Sequence, residues 1–239
     1  MGSGNALVAE ILDADPGDAM AAWWLGQHSF VLKRERVLLW MDPFLTPMPR
    51  RRFPPPLTPE DIPDGSIVFG THDHADHIDR PAWERIVRKG TDVVFVVPGV
   101  LRDRLSAELG IPIDRLVGMD DMRRVEIGSV AATGIAAAHE LLAPDPATGR
   151  HPFLGYVVET GGMTIYHAGD TCGYEGLQTK LKRWRFDAVF LPINGRDAER
   201  LKRGCLGNMT FPEAADLAGA LEPGLTVPAH FDMYEGNTE

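Results

Sequence analysis

Between Thr71 and His77 the chain reads Thr-His-Asp-His-Ala-Asp-His, three histidines and two aspartates in seven residues. His72 and His74 stand two apart, so in an extended segment both imidazoles project to one side and can share an ion. Asp76 and His77 follow, where the chain should turn toward a helix opening at Arg80, and their side chains can reach a second ion close by. A bare His-x-His is more often a solvated polar loop than a ligand pair. The complete string directly after a strand is far more specific. Three further residues stand in comparable places: His139 ends the apolar run Val130–Ala138, Asp170 follows the run Thr164–His167, and His230 ends the run Thr226–Ala229. Strand ends are where a rigid sheet presents side chains along one edge. Singly each of the three is more often structural; with the string they make seven candidate ligands, five His and two Asp.

The elements that must carry these residues are legible as pattern. Ala6–Asp13 reads as a short amphipathic helix, and Ala22–Leu25, Ser29–Lys33 and Val37–Met41 as strands rich in aromatic and β-branched residues. Residues 42–65 form a proline-rich loop; Asp42–Pro63 holds eight of the nineteen prolines and the run Arg50–Arg52. Prolines at that density remove N–H donors and fix φ, which excludes a helix or a sheet interior. Loops of this length tend to serve as lids or contact surfaces. Ser66–Gly70 reads as a strand running into the histidine string, Arg80–Lys89 as a helix closed by Gly90, Asp92–Val97 as a strand and Val100–Leu109 as a helix. Strands follow over Arg123–Ile127, Val130–Ala138, Phe153–Thr160 and Thr164–His167, the last two as a hairpin across Gly161–Gly162. A helix over Tyr174–Trp184, a strand over Ala188–Ile193, a helix over Pro212–Leu221 opened by the capping box Thr210-Phe-Pro-Glu213, and a strand over Thr226–Ala229 complete the reading. Strand runs precede helices in each half, which suggests two sheets packed together with helices outside, an α/β four-layer αββα sandwich.

Composition sets the outer limits. The 239 residues carry 24 Lys+Arg against 34 Asp+Glu, a formal net charge of −10, and no basic stripe of the kind that marks a nucleic-acid binder. No run approaches the roughly 18 apolar residues of a membrane helix, and no basic segment followed by an apolar one opens the chain. Two cysteines, Cys172 and Cys205, do not make a disulfide framework. The expectation is a cytoplasmic α/β protein with a small-molecule substrate and neither a nucleic-acid nor a membrane partner.

The order His-x-His-x-Asp-His, then His139, then Gly169-Asp170-Thr171, then His230 resembles the metallo-β-lactamase superfamily of metal-dependent hydrolases, and the resemblance runs from about Trp23 to His230. It implies the αββα fold over residues 5–239 as one hydrolase domain, with residues 1–4 set aside as an expression remnant. It also implies two divalent metal ions, His72, His74 and His139 holding the first, Asp76, His77 and His230 the second, and Asp170 bridging. Imidazoles mixed with carboxylates suit zinc, manganese or iron. Two such ions about 3.5–4 Å apart lower the pKa of a shared water and polarise the group it attacks, so the implied reaction is hydrolysis by a metal-bound hydroxide. Asp76 and Asp170 are then the catalytic carboxylates. Asp42, after the strand Val37–Met41, matches a superfamily aspartate that orients a ligand imidazole; a plain turn residue before Pro43 is the alternative.

Trp23-Trp24-Leu25-Gly26-Gln27-His28, Asp42-Pro43-Phe44, Ile165–Thr171 and Leu191-Pro192-Ile193-Asn194-Gly195-Arg196 resemble the branch containing L-ascorbate-6-phosphate lactonase. That implies a cytosolic, manganese-dependent, oligomeric lactonase acting on a small, polar, phosphorylated metabolite. Arg196, with Asn194 and His28, is the expected substrate-binding set, since a guanidinium takes phosphate bidentately. Arg200, Lys202 and Arg203 read as a solvated face, and Arg50–Arg52 as pocket or oligomer contacts. Three competing activities use the same fold. A phosphodiesterase or nuclease fits poorly with the acidic charge. A diiron oxidoreductase resembles this pattern with a glutamate where His74 stands. A non-catalytic binding protein would be expected to have lost ligands. The sequence ends at Glu239, nine residues past His230, where relatives are expected to continue.

Overall fold

A computed structural model describes residues 3–235. Residues 1–2 of the segment set aside, and the end of the chain at 236–239, lie outside them. The chain divides into two compact units, residues 1–118 and 119–239.

The first unit is built on a six-stranded sheet of β1 (Ala21–Gly26), β2 (Ser29–Arg34), β3 (Val37–Met41), β4 (Ile67–Phe69), β5 (Val94–Pro98) and β6 (Leu116–Met119), in that order. β1, β2 and β3 meander antiparallel, and β4 and β5 then run parallel to β3. The helices are α1 (Ser3–Asp13), α2 (Arg80–Arg88) and α3 (Arg102–Leu109). Val31, Trp40, Val68 and Phe95 of the strands pack with Trp83 and Ile86 of α2 and Leu105 of α3 in one apolar core. α2 starts at Asp79, whose carboxylate accepts the Ala82 N–H, and carries Pro81 in its first turn, where the missing N–H is not needed.

The second unit repeats the plan. Its sheet runs in the order β12-β11-β10-β9-β8-β7, formed by β7 (Arg124–Ile127), β8 (Val130–Ala136), β9 (Leu154–Thr160), β10 (Met163–His167), β11 (Ala188–Pro192) and β12 (Leu225–Ala229). β7 to β10 pair antiparallel, and β11 and β12 continue parallel to β10. Gly161 and Gly162 both take positive φ in the β9–β10 turn, the conformation that a tight hairpin needs. The helices are α4 (Leu177–Leu181), α5 (Ala198–Lys202) and α6 (Phe211–Leu221). The Thr210–Glu213 capping box opens α6 as its sequence predicts.

Four elements differ from the pattern reading. β6 is an additional strand, hidden by the glycine in Leu-Val-Gly-Met. The helix expected over Tyr174–Trp184 is only α4, because Gly176 sits at φ 93° immediately before it and a helix cannot pass through that conformation. The strand expected to reach Ala138 stops at Ala136; the Ala138 N–H turns instead to the Thr171 hydroxyl. α5 forms within the charged run because the Asp197 carboxylate caps the Arg200 N–H. Arg200 is therefore buried, donating to the Asn194 carbonyl at 2.6 Å, and is not part of a solvated face.

Candidate metal centre

In the first unit β1, β3, β4 and β5 point the same way, so the residues that follow their last positions share one edge of the sheet. Gln27 and His28 follow β1, Asp42 follows β3, and Thr71–His77 follows β4. This is the edge at which open parallel sheets hold their ligands. Gly70 lets the string fold back: a Cβ there would stand 2.7 Å from Ile78 and 3.0 Å from Trp83.

Asp42, fully buried, organises the string. One carboxylate oxygen accepts the Thr71 N–H at 2.8 Å; the other accepts the Thr71 hydroxyl at 2.8 Å and stands 2.6 Å from His77 Nδ1. A carboxylate at that distance accepts a hydrogen bond from a protonated Nδ1, which leaves the lone pair of His77 on Nε2. The Thr71 hydroxyl, having donated to Asp42, accepts from His72 Nδ1 at 3.1 Å and leaves a lone pair on His72 Nε2 as well. His72 Nε2 faces His74 Nδ1 at 2.9 Å. Two nitrogens bound at about 2.1 Å to one ion stand about 3 to 3.4 Å apart, for 90° and tetrahedral angles respectively. The His72 ring lies 4.1 Å from that of His77, and Asp76 Oδ2 is 3.7 Å from His77 Nε2. His28 is fully buried, its ring 6.0 Å from that of His77. Asp73 fastens the string from outside, pairing with Arg80 of α2 and Arg104 of α3, and Glu108 also bonds Arg80.

In the second unit the edge is formed by the ends of β8, β10, β11 and β12, followed by His139, Asp170, Asn194 and His230. Gly155 makes room there, since a Cβ would come within 2.6 Å of the Ala168 carbonyl and 2.8 Å of the His167 carbonyl. Asp170 Oδ2 faces two imidazoles, His230 Nε2 at 3.1 Å and His139 Nε2 at 3.6 Å. His139 Nδ1 lies 3.0 Å from the Gly207 carbonyl, which can only accept, so Nδ1 carries a proton. A neutral His139 then turns a lone pair on Nε2 toward a carboxylate oxygen. Opposed lone pairs at this spacing call for a cation between them, and imidazole with carboxylate is a donor set that suits zinc, manganese or iron. In each unit the donors present therefore fit divalent metal.

Backbone strain gathers around these residues. Gln27 (φ 53°), Asp42 (φ 44°), Glu140 (φ 70°) and His230 (φ 59°) all adopt the left-handed region, at a cost of order 1 kcal/mol or more for each. Such conformations persist where the surrounding structure over-determines them, as the bonds to Asp42 do.

Arg196 departs from expectation. Its two terminal nitrogens bind the Glu213 carboxylate at 2.5 and 2.6 Å, and one also donates to the Asn208 carbonyl. The guanidinium beside Glu213 lowers that carboxyl to about 2 and is itself raised in return. Arg196 thus closes an internal ion pair at the start of α6, and its charge is neutralised where a phosphate-binding role needs it open. Asn194 is buried, its carbonyl taken by Arg200 and its side-chain oxygen by Asn208 at 3.0 Å. The depressed carboxyl gives stability that is present above the ordinary Glu value of 4.5 and fades as pH falls toward 2. Arg196→Ala should therefore melt below the wild type at neutral pH, and the two melting curves should converge as pH drops. It should also leave the ratio of KM for phosphorylated and unphosphorylated substrates unchanged; a rise confined to phosphorylated ones restores the phosphate role.

Some participants carry no sequence signal. Gln27 donates its amide to Asp76 Oδ2 at 3.0 Å across a separation of 49 residues, a pairing that the motif Trp23–His28 containing it does not reveal. The Gly207 carbonyl is equally silent. Thr71 could have been found, as a hydroxyl residue placed between strand and ligands.

A sheet flanked by helices in each unit, with histidines and aspartates at the carboxyl ends of its strands, defines an α/β metalloprotein of the metallo-β-lactamase fold. A family profile described as the beta-lactamase superfamily domain matches residues 36–231, and the chain belongs to that family. A UPF0173 metal-dependent hydrolase of Methanosarcina mazei is 28% identical over 219 residues, covering 89% of this chain and 83% of that one. Among solved structures, Igni18, a metallo hydrolase of Ignicoccus hospitalis, superposes with a TM-score of 0.70 at 19% identity, over 92% of this chain and 87% of its own. CmlA, a diiron beta-hydroxylase of Streptomyces venezuelae, gives 0.68 at 17% identity over 95% of this chain and 48% of its own. At these identities the two structures show the shared fold. No helix among the described residues is long and apolar enough to cross a membrane.

Proposed function

We propose that this protein, a metal-dependent hydrolase of the metallo-β-lactamase superfamily, hydrolyses a lactone or a related ester or amide of a small molecule, with residues 5–239 working as one catalytic domain. The observation that carries the reading is the pair of Nε2 atoms turned on one oxygen of Asp170, the arrangement a bridging carboxylate requires. In the assignment that the family resemblance implies, His72, His74 and His139 would hold one divalent ion, Asp76, His77 and His230 would hold the other, and Asp170 would hold both; zinc, manganese and iron each suit these donors. When bound, such ions supply Lewis-acid polarisation of the scissile carbonyl and of the attacking water.

The chain's own residues supply the rest. Asp76, one oxygen held by the Gln27 amide, orients the attacking water and takes up its proton. Asp42 and Thr71 fix the ring orientation and tautomer of His77 and His72, and the Gly207 carbonyl does so for His139. The phosphorylated substrate expected for the lactonase branch loses its main cation to the Arg196–Glu213 pair, so the proposal does not require a phosphate on the ester or lactone. A cytoplasmic setting and a homo-oligomeric state belong to the same proposal, with no nucleic-acid or membrane partner.

The test is turnover by the chelated protein, reloaded separately with zinc, manganese or iron, on a panel of lactones, an aryl amide and bis-(p-nitrophenyl) phosphate. The reading predicts metal-dependent turnover greatest on lactones. Turnover confined to the phosphodiester transfers the protein to the phosphodiesterase class, and metal-loaded protein inert on every lactone contradicts the proposal.

A further inference from the structure

The proline-rich segment after Asp42 encloses a groove of about 440 Å³ whose lining includes Pro47, Met48, Pro49, Phe53 and Pro54. The geometry points to this groove, with Trp24 beside it, as a subsite for the apolar part of the substrate: a hydrocarbon chain or ring carried by the ester or lactone. The inference rests on the hydrolase reading above and adds to it a substrate class.

Three observations support it. The groove is fastened to the histidine string on both sides. Asp42 begins the segment and holds Thr71 and His77, while Asp79, two residues past His77, binds the Leu45 and Thr46 N–H groups at 2.8 and 2.7 Å and the Thr46 hydroxyl at 2.5 Å. Its shape is also set in advance. Prolines restrict the backbone, and the buried Arg51 ties the segment to itself, stacking 4.7 Å over Phe44 and donating to the Phe44 and Phe53 carbonyls. Arg51 also lines the groove, but its Nε and Nη1 are engaged by its own loop's carbonyls, and the rest of the wall is proline, Met48 and Phe53.

A short relay of contacts, finally, links the groove to Asp76 of the same unit. Phe53 meets Trp24 edge-on at 6.1 Å, the Trp24 indole donates to the Gln27 carbonyl at 3.1 Å, and the Gln27 amide holds Asp76. Trp24 and Met48 are 41% and 40% exposed, large apolar side chains left toward solvent one short chain of contacts from Asp76. A preformed apolar cleft beside a few convergent polar groups is the usual form of a small-molecule site. The neutralised Arg196 agrees with a substrate recognised through hydrocarbon.

The experiment compares δ-decalactone with δ-valerolactone, the same ring with and without a pentyl tail, on the metal-loaded full chain and its Trp24→Ser and Met48→Ser variants. The expected result is a kcat/KM about tenfold higher for the tailed lactone, with that advantage reduced several-fold in each variant. Binding of the corresponding lactams, measured by calorimetry, makes the subsite readable without turnover. Tighter binding of the tailed lactam that Met48→Ser abolishes supports the subsite even if neither lactone is hydrolysed, in which case the lactonase reading alone fails. Turnover of both lactones at equal efficiency, indifferent to both substitutions, overturns the subsite and leaves the hydrolase standing. Concentration-dependent dimerisation lost in Met48→Ser, with lactone preference unchanged, assigns the groove to self-association and also overturns it.

Discussion

Asp170→Asn is expected to lower kcat/KM by about a thousandfold, the equivalent of roughly 4 kcal/mol of transition-state stabilisation, and to reduce the metal bound per chain. The reason lies in one atom. Oδ2 faces His230 Nε2 and His139 Nε2 together, and an amide offers that position either a neutral oxygen or an N–H. The neutral oxygen would remove negative charge from the proposed metal site, and the N–H would point a proton into it. The fold should be little affected, because the side chain keeps its size and His139 remains held by the Gly207 carbonyl. The check is kcat/KM together with metal content by elemental mass spectrometry and a melting curve. A variant with full metal content and full rate removes Asp170 from the site.

The second large effect falls on a residue expected to touch neither metal nor substrate. Asp42 accepts from Thr71 N, Thr71 Oγ1 and His77 Nδ1, all buried. Asp42→Ala leaves these donors without their acceptor and should cost about 3–5 kcal/mol, a fall in Tm on the order of 10 °C for a chain of this size. Asp42→Asn separates structure from function. It keeps an acceptor for the Thr71 N–H but turns an amide N–H toward His77 Nδ1, which pushes the His77 proton onto Nε2 and blocks the lone pair a metal needs. It should lose about 10–100-fold in metal affinity with a smaller loss of Tm than Asp42→Ala. Competition with a fluorescent chelator measures the first quantity and thermal denaturation the second. Equal metal affinity in Asp42→Asn and the wild type contradicts the orienting role.

The sequence-derived reading reaches furthest where chemistry and periodicity coincide. His72, His74, Asp76 and His77 can be read because they are contiguous and follow an apolar strand, and Asp170 and His230 because each closes a short β-branched run. His139 reads as the end of a strand, whereas β8 stops at Ala136 and the residues leading to His139 are held by the bond from Ala138 N to the Thr171 hydroxyl. What escapes the sequence is long-range pairing. Neither Gln27 with Asp76 nor Arg196 with Glu213 leaves a periodic trace, since each joins residues brought together only by the sheet. Arg196 shows what such a pairing changes: a guanidinium after a strand reads as open to a phosphate, but here a carboxylate from α6 pairs with it. The glycine in β6 and the left-handed Gly176 misled the pattern locally, by interrupting a strand and by delaying a helix.

The most direct test of the central claim is the metal content of the protein purified without added metal or chelator, read by elemental mass spectrometry. The account predicts close to two zinc, manganese or iron ions per chain, falling in Asp170→Asn. A protein that carries no metal, and takes up none on titration with these three ions, contradicts it.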